Sequence, residues 1–206
     1  MSSSGDSRNS GESLRKKTGI LLFAVSAVFI LTGSVLLIPV YAPVVQEEVQ
    51  YRFFTEPNPR PVLTPVSAEF SIQIPKIRAN APVIKDVDPF NESEYQAQLA
   101  RGVAHAKGTS LPGQRGTMFL FAHSASDFAL ASRYNAVFYL LSRLQPGDDI
   151  LITFKGKQLK YTVQELRYVD ESQIEYISES TGEHRLILMT CWPPGTTLKR
   201  LLVVAS

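Results

Sequence analysis

From Ile20 to Val45 the chain carries no charged side chain. That run exceeds the roughly 20 apolar residues needed to cross the hydrocarbon core of a bilayer. Arg15, Lys16 and Lys17 stand before the run, and Glu47 and Glu48 are the first charges after it. Cationic residues are retained on the cytoplasmic side, so this asymmetry orients the segment with its N-terminus inside. A cleaved leader would have an apolar core of about 7–15 residues and a small-residue cleavage site. This run is longer, and Pro39, Tyr41 and Pro43 near its end provide no such site. The expectation is an uncleaved anchor over residues 19–45, single-pass in the plasma membrane. Residues 1–18, rich in Ser and Gly, form a cytoplasmic tail, and everything after the anchor lies outside the cytoplasm.

Pro57, Pro59, Pro61 and Pro65 punctuate residues 46–66. Proline-rich chain is extended and semi-rigid, so this stretch reads as a spacer. The remaining residues, 67–206, are enough to build one core. Lysine and arginine number 21 against 19 acids, and no basic block is interleaved with aromatics. That balance lacks the electrostatic footprint of a nucleic-acid binder. The single cysteine, Cys191, excludes an internal disulfide and a cysteine-rich zinc site. No calcium loop stands out, and Asp86, Asp88, Glu165 and Glu171 read as solvated faces. No metal and no cofactor is expected.

Strand patterns dominate residues 67–206. Glu69–Ile74 alternates polar and apolar, as a half-buried strand does, and Pro75 ends it. Ala81–Ile84 and Gly102–Ala106 are short strands. Between them, Asn91 and Glu94 form a helix-start pair, followed by Tyr95 and Leu99 at helical spacing. Thr117–Ala122 is a continuous apolar run, consistent with a buried central strand, and it ends at His123. Ala136–Leu144 has helical spacing until Gln145-Pro146-Gly147-Asp148 breaks it. Asp149–Phe154 and Gln158–Val169 flank Lys155-Gly156-Lys157 as a hairpin. Arg185–Cys191 is apolar, Pro193, Pro194 and Gly195 make a turn, and a last apolar strand follows Lys199 and Arg200. Seven or eight short strands with one or two small helices predict a mostly β barrel or sandwich.

A lone thiol at the end of an apolar strand can be a small buried hydrophobe. It can also be a nucleophile, provided that a histidine moves protons and a fixed donor holds the developing oxyanion. Three histidines are available. His123 stands where a buried strand meets a loop, so its backbone is fixed while its ring can reach a cleft. His105 occupies a similar position, and periodicity does not exclude it. His184 lies in polar surroundings, as a surface residue does. Of Lys199 and Arg200, strand alternation lets only one face the thiol. Arginine's planar, permanently charged fork suits a carbonyl or carboxylate better. Free cysteine and histidine titrate near about 8.5 and 6.5, so a Cys–His pair implies a bell-shaped pH–rate profile.

Ile187-Leu188-Met189-Thr190-Cys191 resembles the TLxTC active-site motif of sortases. Phe121-Ala122-His123-Ser124 resembles that family's strand-end histidine motif, and Arg200 falls where the family carries its arginine. Ile74-Pro75-Lys76-Ile77 with Pro82-Val83-Ile84 resembles the family's opening strands, and Leu144-Gln145-Pro146-Gly147-Asp148 the turn before its central hairpin. The likeness spans residues 67–206. It implies an eight-stranded β-barrel and a cysteine transpeptidase that cleaves an LPxTG-like sorting signal after its threonine. The acyl group would pass through a thioacyl intermediate on Cys191 to an amine of the cell envelope or of a pilin-type subunit. His123 would be the general acid/base, His105 a neighbour without a catalytic role, and Arg200 a substrate-binding and oxyanion-stabilising residue. Ile187, Thr190 and Trp192 would contribute to substrate binding. Ile187 departs from the motif's first threonine, which alters the expected floor of the groove. The Trp192–Gly195 turn would be a rigid wall beside the thiol. Two other readings are compatible with these residues, a thiol hydrolase with water as final acceptor and a catalytically silent, membrane-tethered binding module.

Overall fold

The computed structural model describes residues 19–35, 49, 63–124, 137–170, 172 and 184–206. The chain divides into two units, Met1–Tyr41 and Ala42–Ser206.

In the first unit, residues 19–35 form helix α1. Its two hydroxyl side chains bond to its own backbone: Ser26 Oγ donates to the Leu22 carbonyl at 2.9 Å and Thr32 Oγ1 to the Val28 carbonyl at 2.8 Å. Among the described residues no helix is long and apolar enough to cross a membrane. Positions 36–45 of the expected anchor, the expected tail and most of the expected spacer lie outside the described residues.

In the second unit eight strands follow one another as β1 (Phe70–Ile74), β2 (Ala79–Val87), β3 (Val103–Ala106), β4 (Gly116–Phe121), β5 (Asp149–Phe154), β6 (Lys157–Asp170), β7 (His184–Trp192) and β8 (Lys199–Ala205). They close into a barrel in the order β1-β2-β3-β4-β7-β8-β6-β5, with β5 pairing back onto β1. Closure removes the unpaired edges that an open sheet would expose. The expected mostly β, eight-stranded barrel is therefore the observed fold.

Two pairs are parallel, β2 with β3 and β4 with β7. Parallel neighbours need a crossover connection, and helix α2 (Glu92–Leu99) lies in the one between β2 and β3. Its start follows the sequence signal: Asn91 is the N-cap, and its side-chain oxygen accepts from the Glu94 backbone N–H at 3.3 Å. At the foot of β3 the chains approach so closely that a Cβ on Gly102 would lie 2.3 Å from the Pro82 carbonyl oxygen.

Two expectations are corrected by tertiary packing. β1 is not half-buried; Phe70–Ile74 is buried throughout. Its polar residues are satisfied internally. Gln73 Nε2 donates to Ser71 Oγ at 3.0 Å, and Ser71 Oγ donates to the Ser67 carbonyl at 2.6 Å. The helical spacing before Pro146 yields no α-helix among residues 137–144, only turns and a 3-10 helix at Leu141–Arg143. The Asp148 carboxylate accepts the Gln145 N–H at 2.7 Å, removing a donor that a continuing helix would use. Proline at the next position also disfavours helical geometry for Gln145. Lys76 Nζ binds the same Asp148 oxygen at 2.7 Å and ties this turn to the segment after β1.

The apolar interior runs along β4, β7 and β8, where Phe119, Leu120, Leu186, Leu188, Leu201 and Val203 are fully enclosed. The candidate thiol strand therefore lies in the most enclosed part of the barrel, between two strands that are themselves buried.

Candidate active site

β7 and β8 are antiparallel, and their register sets Cys191 opposite Arg200 and Trp192 opposite Lys199. Arg200, not Lys199, is thus the cation beside the thiol. On the other side β4 runs parallel to β7, with Phe121 level with Met189. The ladder continues one residue past β4, because the Ala122 N–H donates to the Met189 carbonyl at 3.2 Å. His123 is the next residue and lies beyond the ladder. Cys191 and Arg200 are therefore register partners on adjacent strands, and His123 stands just past the end of the strand that pairs with β7 on its other side. Side chains alternate along a strand, so Cys191 shares a face with Met189 on β7 and Arg200 with Leu202 on β8.

Cys191 forms no disulfide and is half-buried. His123 is half-buried too, with Nε2 shielded from solvent. Arg200 Nη1 donates to the Thr197 carbonyl at 3.1 Å and to the Lys199 carbonyl at 3.3 Å, so the guanidinium is braced by the start of its own strand. The turn before it is closed by Thr196, whose N–H and hydroxyl both reach the Pro193 carbonyl, at 3.0 and 2.8 Å. Gly195 adopts φ +78° there, a conformation that favours glycine. Such a site brings together a nucleophile, a proton carrier and a fixed cation, the parts needed for acyl transfer.

The other two histidines are placed differently. His105 is fully enclosed in β3. Its Nδ1 accepts the Asp86 backbone N–H at 3.3 Å, so Nε2 carries the proton and donates to the Ser110 carbonyl at 3.1 Å. Burial pushes its pKa below the ordinary histidine value, outweighing the Ser110 hydrogen bond and the charge of Asp86. Both ring nitrogens hold backbone, and the ring belongs to the architecture. His184 is exposed at the far end of β7 from Cys191, with Nδ1 2.8 Å from the Gln114 carbonyl oxygen.

The three residues expected to bind substrate occupy different environments. Ile187 shares the face of Cys191 but is 1 % exposed, so it underlies the site instead of lining it. Met189, between them on that face, is half-buried and closer to the thiol. Two-residue strand alternation counted back from Cys191 would have singled it out. Thr190 is 2 % exposed, and its hydroxyl donates to the Ala122 carbonyl at 2.9 Å. Trp192 falls on the opposite strand face from Cys191, with its ring 5.5 Å from that of Tyr168 on β6. That ring contact spans β8, which lies between β6 and β7 in the barrel.

The scattered acids behave as surface groups where described. Asp86 pairs with Lys85 at 3.1 Å, Glu165 with Arg167, and Asp88 accepts the Phe90 N–H at 2.9 Å; Glu171 lies outside the described residues. The Arg167 hydrogen bond holds the Glu165 carboxyl below its usual pKa.

The family profile of the sortase domain matches residues 72–206. Among curated proteins, the chain is 27 % identical over 135 residues to sortase A of Streptococcus agalactiae serotype III (strain NEM316), covering 66 % of this chain and 51 % of that protein. It is 25 % identical over 135 residues to sortase D of Bacillus subtilis (strain 168), covering 64 % and 60 %. The chain thus spans 51–60 % of the length of these relatives. Among solved structures, sortase A from Corynebacterium diphtheriae superposes with a TM-score of 0.55 at 30 % identity, over 72 % of this chain and 61 % of that one. Sortase C1 of the GBS pilus island 1 gives a TM-score of 0.55 at 27 % identity, over 66 % and 62 %.

Proposed function

The chain belongs to the sortase family, and from that premise we propose that it is a membrane-anchored cysteine transpeptidase acting on an LPxTG-like sorting signal. The observation that carries this reading is the pairing of Cys191 with Arg200 across β7 and β8, with His123 at the exit of β4, the strand on the other side of β7.

In this reading Cys191 Sγ, as thiolate, attacks the carbonyl carbon of the signal's threonine. Arg200 stabilises the oxyanion that develops on the carbonyl oxygen, and the scissile C–N bond breaks as His123, protonated, gives its proton to the leaving amine. A thioester on Cys191 remains. An acceptor amine attacks that thioester, loses a proton to His123, and displaces the Cys191 thiolate as the new amide forms. The acceptor is an amine of the cell envelope or of a pilin-type subunit. Met189, half-buried behind the thiol, supplies apolar floor for the signal.

The anchor reading draws on the uncharged run from Ile20 to Val45. It is supported by the exposure of apolar side chains around α1, with Leu21, Phe23 and Phe29 all presented outward. Its hydroxyls are bonded within the helix, as a lipid environment requires. The domain would then face outward from the plasma membrane.

Mass spectrometry of the full chain incubated with an LPxTG-type peptide library, with and without a small amine, tests the proposal. The expected result is an acyl adduct on Cys191 that the amine converts into an amide product. An adduct released only as the free acid, whatever amine is added, identifies the thiol hydrolase instead. A folded chain with an alkylatable Cys191 and no adduct from any peptide in the library overturns the LPxTG reading.

A further inference from the structure

We propose that Thr190 is a positioning residue for the histidine: its hydroxyl holds the Ala122 carbonyl and thereby sets the direction in which His123 leaves the sheet. This inference rests on the acid/base role proposed for His123.

The parallel ladder between β4 and β7 ends at Phe121 and Met189. Beyond it the Ala122 N–H donates to the Met189 carbonyl at 3.2 Å, and Thr190 Oγ1 donates to the Ala122 carbonyl at 2.9 Å. The second contact acts directly on the peptide group that leads into His123. The Ala122 carbonyl and the His123 nitrogen belong to that one planar unit. Fixing the carbonyl direction therefore fixes the plane from which the His123 Cα–Cβ bond departs. His123 itself is no longer in a strand, so regular pairing does not supply that constraint.

Thr190 is suited to this task by its position. It immediately precedes Cys191, so the group that orients the histidine and the nucleophile are consecutive residues of one buried strand. Strand alternation puts its side chain on the face opposite Cys191. It is 2 % exposed, and its donor is already engaged by the Ala122 carbonyl. Direct contact with a substrate on the thiol's face is therefore not its role. A β-branched residue with a hydroxyl meets both demands, packing in a strand and donating across it.

The test compares full-length wild type with Thr190→Val, Thr190→Ser and His123→Gln. Valine keeps the shape and removes the donor, serine keeps the donor, and Thr190→Ala serves as a second hydroxyl-free variant should valine disturb folding. The first readout needs no substrate: the pH dependence of Cys191 alkylation by iodoacetamide. Wild type and Thr190→Ser should show two inflections, one from the histidine and one from the thiol. Thr190→Val should approach the single inflection of His123→Gln. With a substrate peptide, Thr190→Val should lower kcat by roughly ten- to a hundredfold, as small misplacements of a reacting group do, with KM within about twofold. A Thr190→Val profile and kcat equal to those of a two-inflection wild type overturn this proposal alone. An equal loss in Thr190→Ser overturns it as well, since the hydroxyl is then not the cause. A wild-type profile already identical to that of His123→Gln overturns the acid/base reading of His123 and this proposal with it.

Discussion

At the scale of single residues, two histidines near the ends of short strands have opposite environments. His105 has both ring nitrogens engaged with backbone partners and no exposure, while His123 stands at the end of the ladder beside the thiol. Strand-end position alone does not separate them firmly, because the Asp86 contact of His105 comes from β2 and the Ser110 contact depends on how the loop after β3 folds back. The buried ring has a measurable consequence. Its native pKa lies below the unfolded value of about 6.5, so the unfolded chain binds the extra proton more readily. The favourable neutral state is fully present above about pH 6.5, and stability falls as the pH drops from there through the lowered native value. Protonation also removes the acceptor for the Asp86 N–H, although the Asp86 carboxylate, 3.7 Å away, offsets part of this and Lys85 opposes it. Urea denaturation at steps between pH 7.5 and 5 should show this loss in wild type and a smaller loss over the same window in His105→Gln. Equal slopes would assign the acid sensitivity to other groups.

At the scale of elements, the barrel's geometry at the site depends on how strands start and stop. β4 and β7 are continuous apolar runs because strands buried on both faces need apolar side chains on both. That signal is visible without coordinates, and both elements are legible from it. β1 imitates a half-buried strand because its serine and glutamine look like a solvated face, yet they bond to each other in the interior. The segment before Pro146 imitates a helix, but Asp148, three residues beyond Gln145, captures the donor a helix would need. Gly102 marks another element-level constraint, where β3 begins against β2. A methyl group there would meet the Pro82 carbonyl oxygen at 2.3 Å, a backbone atom that cannot rotate away. Gly102→Ala should therefore destabilise the barrel by about 1–3 kcal/mol, as overpacking does. Thermal unfolding would reveal this as a lowered Tm, and an unchanged Tm would mean that β2 and β3 separate freely.

At the scale of the whole molecule, a closed barrel lets the site be assembled from the β7–β8 pair and from a segment far from it in sequence, the exit of β4. The parallel pairing of β4 with β7, which carries the chain to His123, does not follow from local preference, whereas the turn after β7 returns Arg200 to Cys191 locally. The N-terminal unit contributes the other whole-molecule property. If residues 19–45 anchor the chain, the full-length protein should remain with membranes after alkaline carbonate extraction, and protease applied from outside should reach the domain. A variant with Arg and Asp placed at Phe23 and Phe29 should be released into the soluble fraction, because charges at a helix centre oppose insertion. Wild-type protein recovered wholly in the soluble fraction would exclude the anchor.

The sequence by itself determined the strand-rich class, the position of α2 and the segments that meet at the site, because burial period, caps and turn residues are local signals. It also determined which residue types were available for acyl transfer, and its motif order pointed to the family. Arginine chemistry and the motif already favoured Arg200 over Lys199 as the cation of Cys191, and the register of β8 with β7 sets Arg200 opposite it. Only the fold separated the roles of Ile187, Met189, Thr190 and Trp192. These residues are close in sequence, but the pleat sends them to two faces, and what covers each face is contributed by other segments. Thr190 shows the physical reason most plainly: its hydroxyl is defined by a carbonyl on another chain segment, a partner that no local pattern could identify.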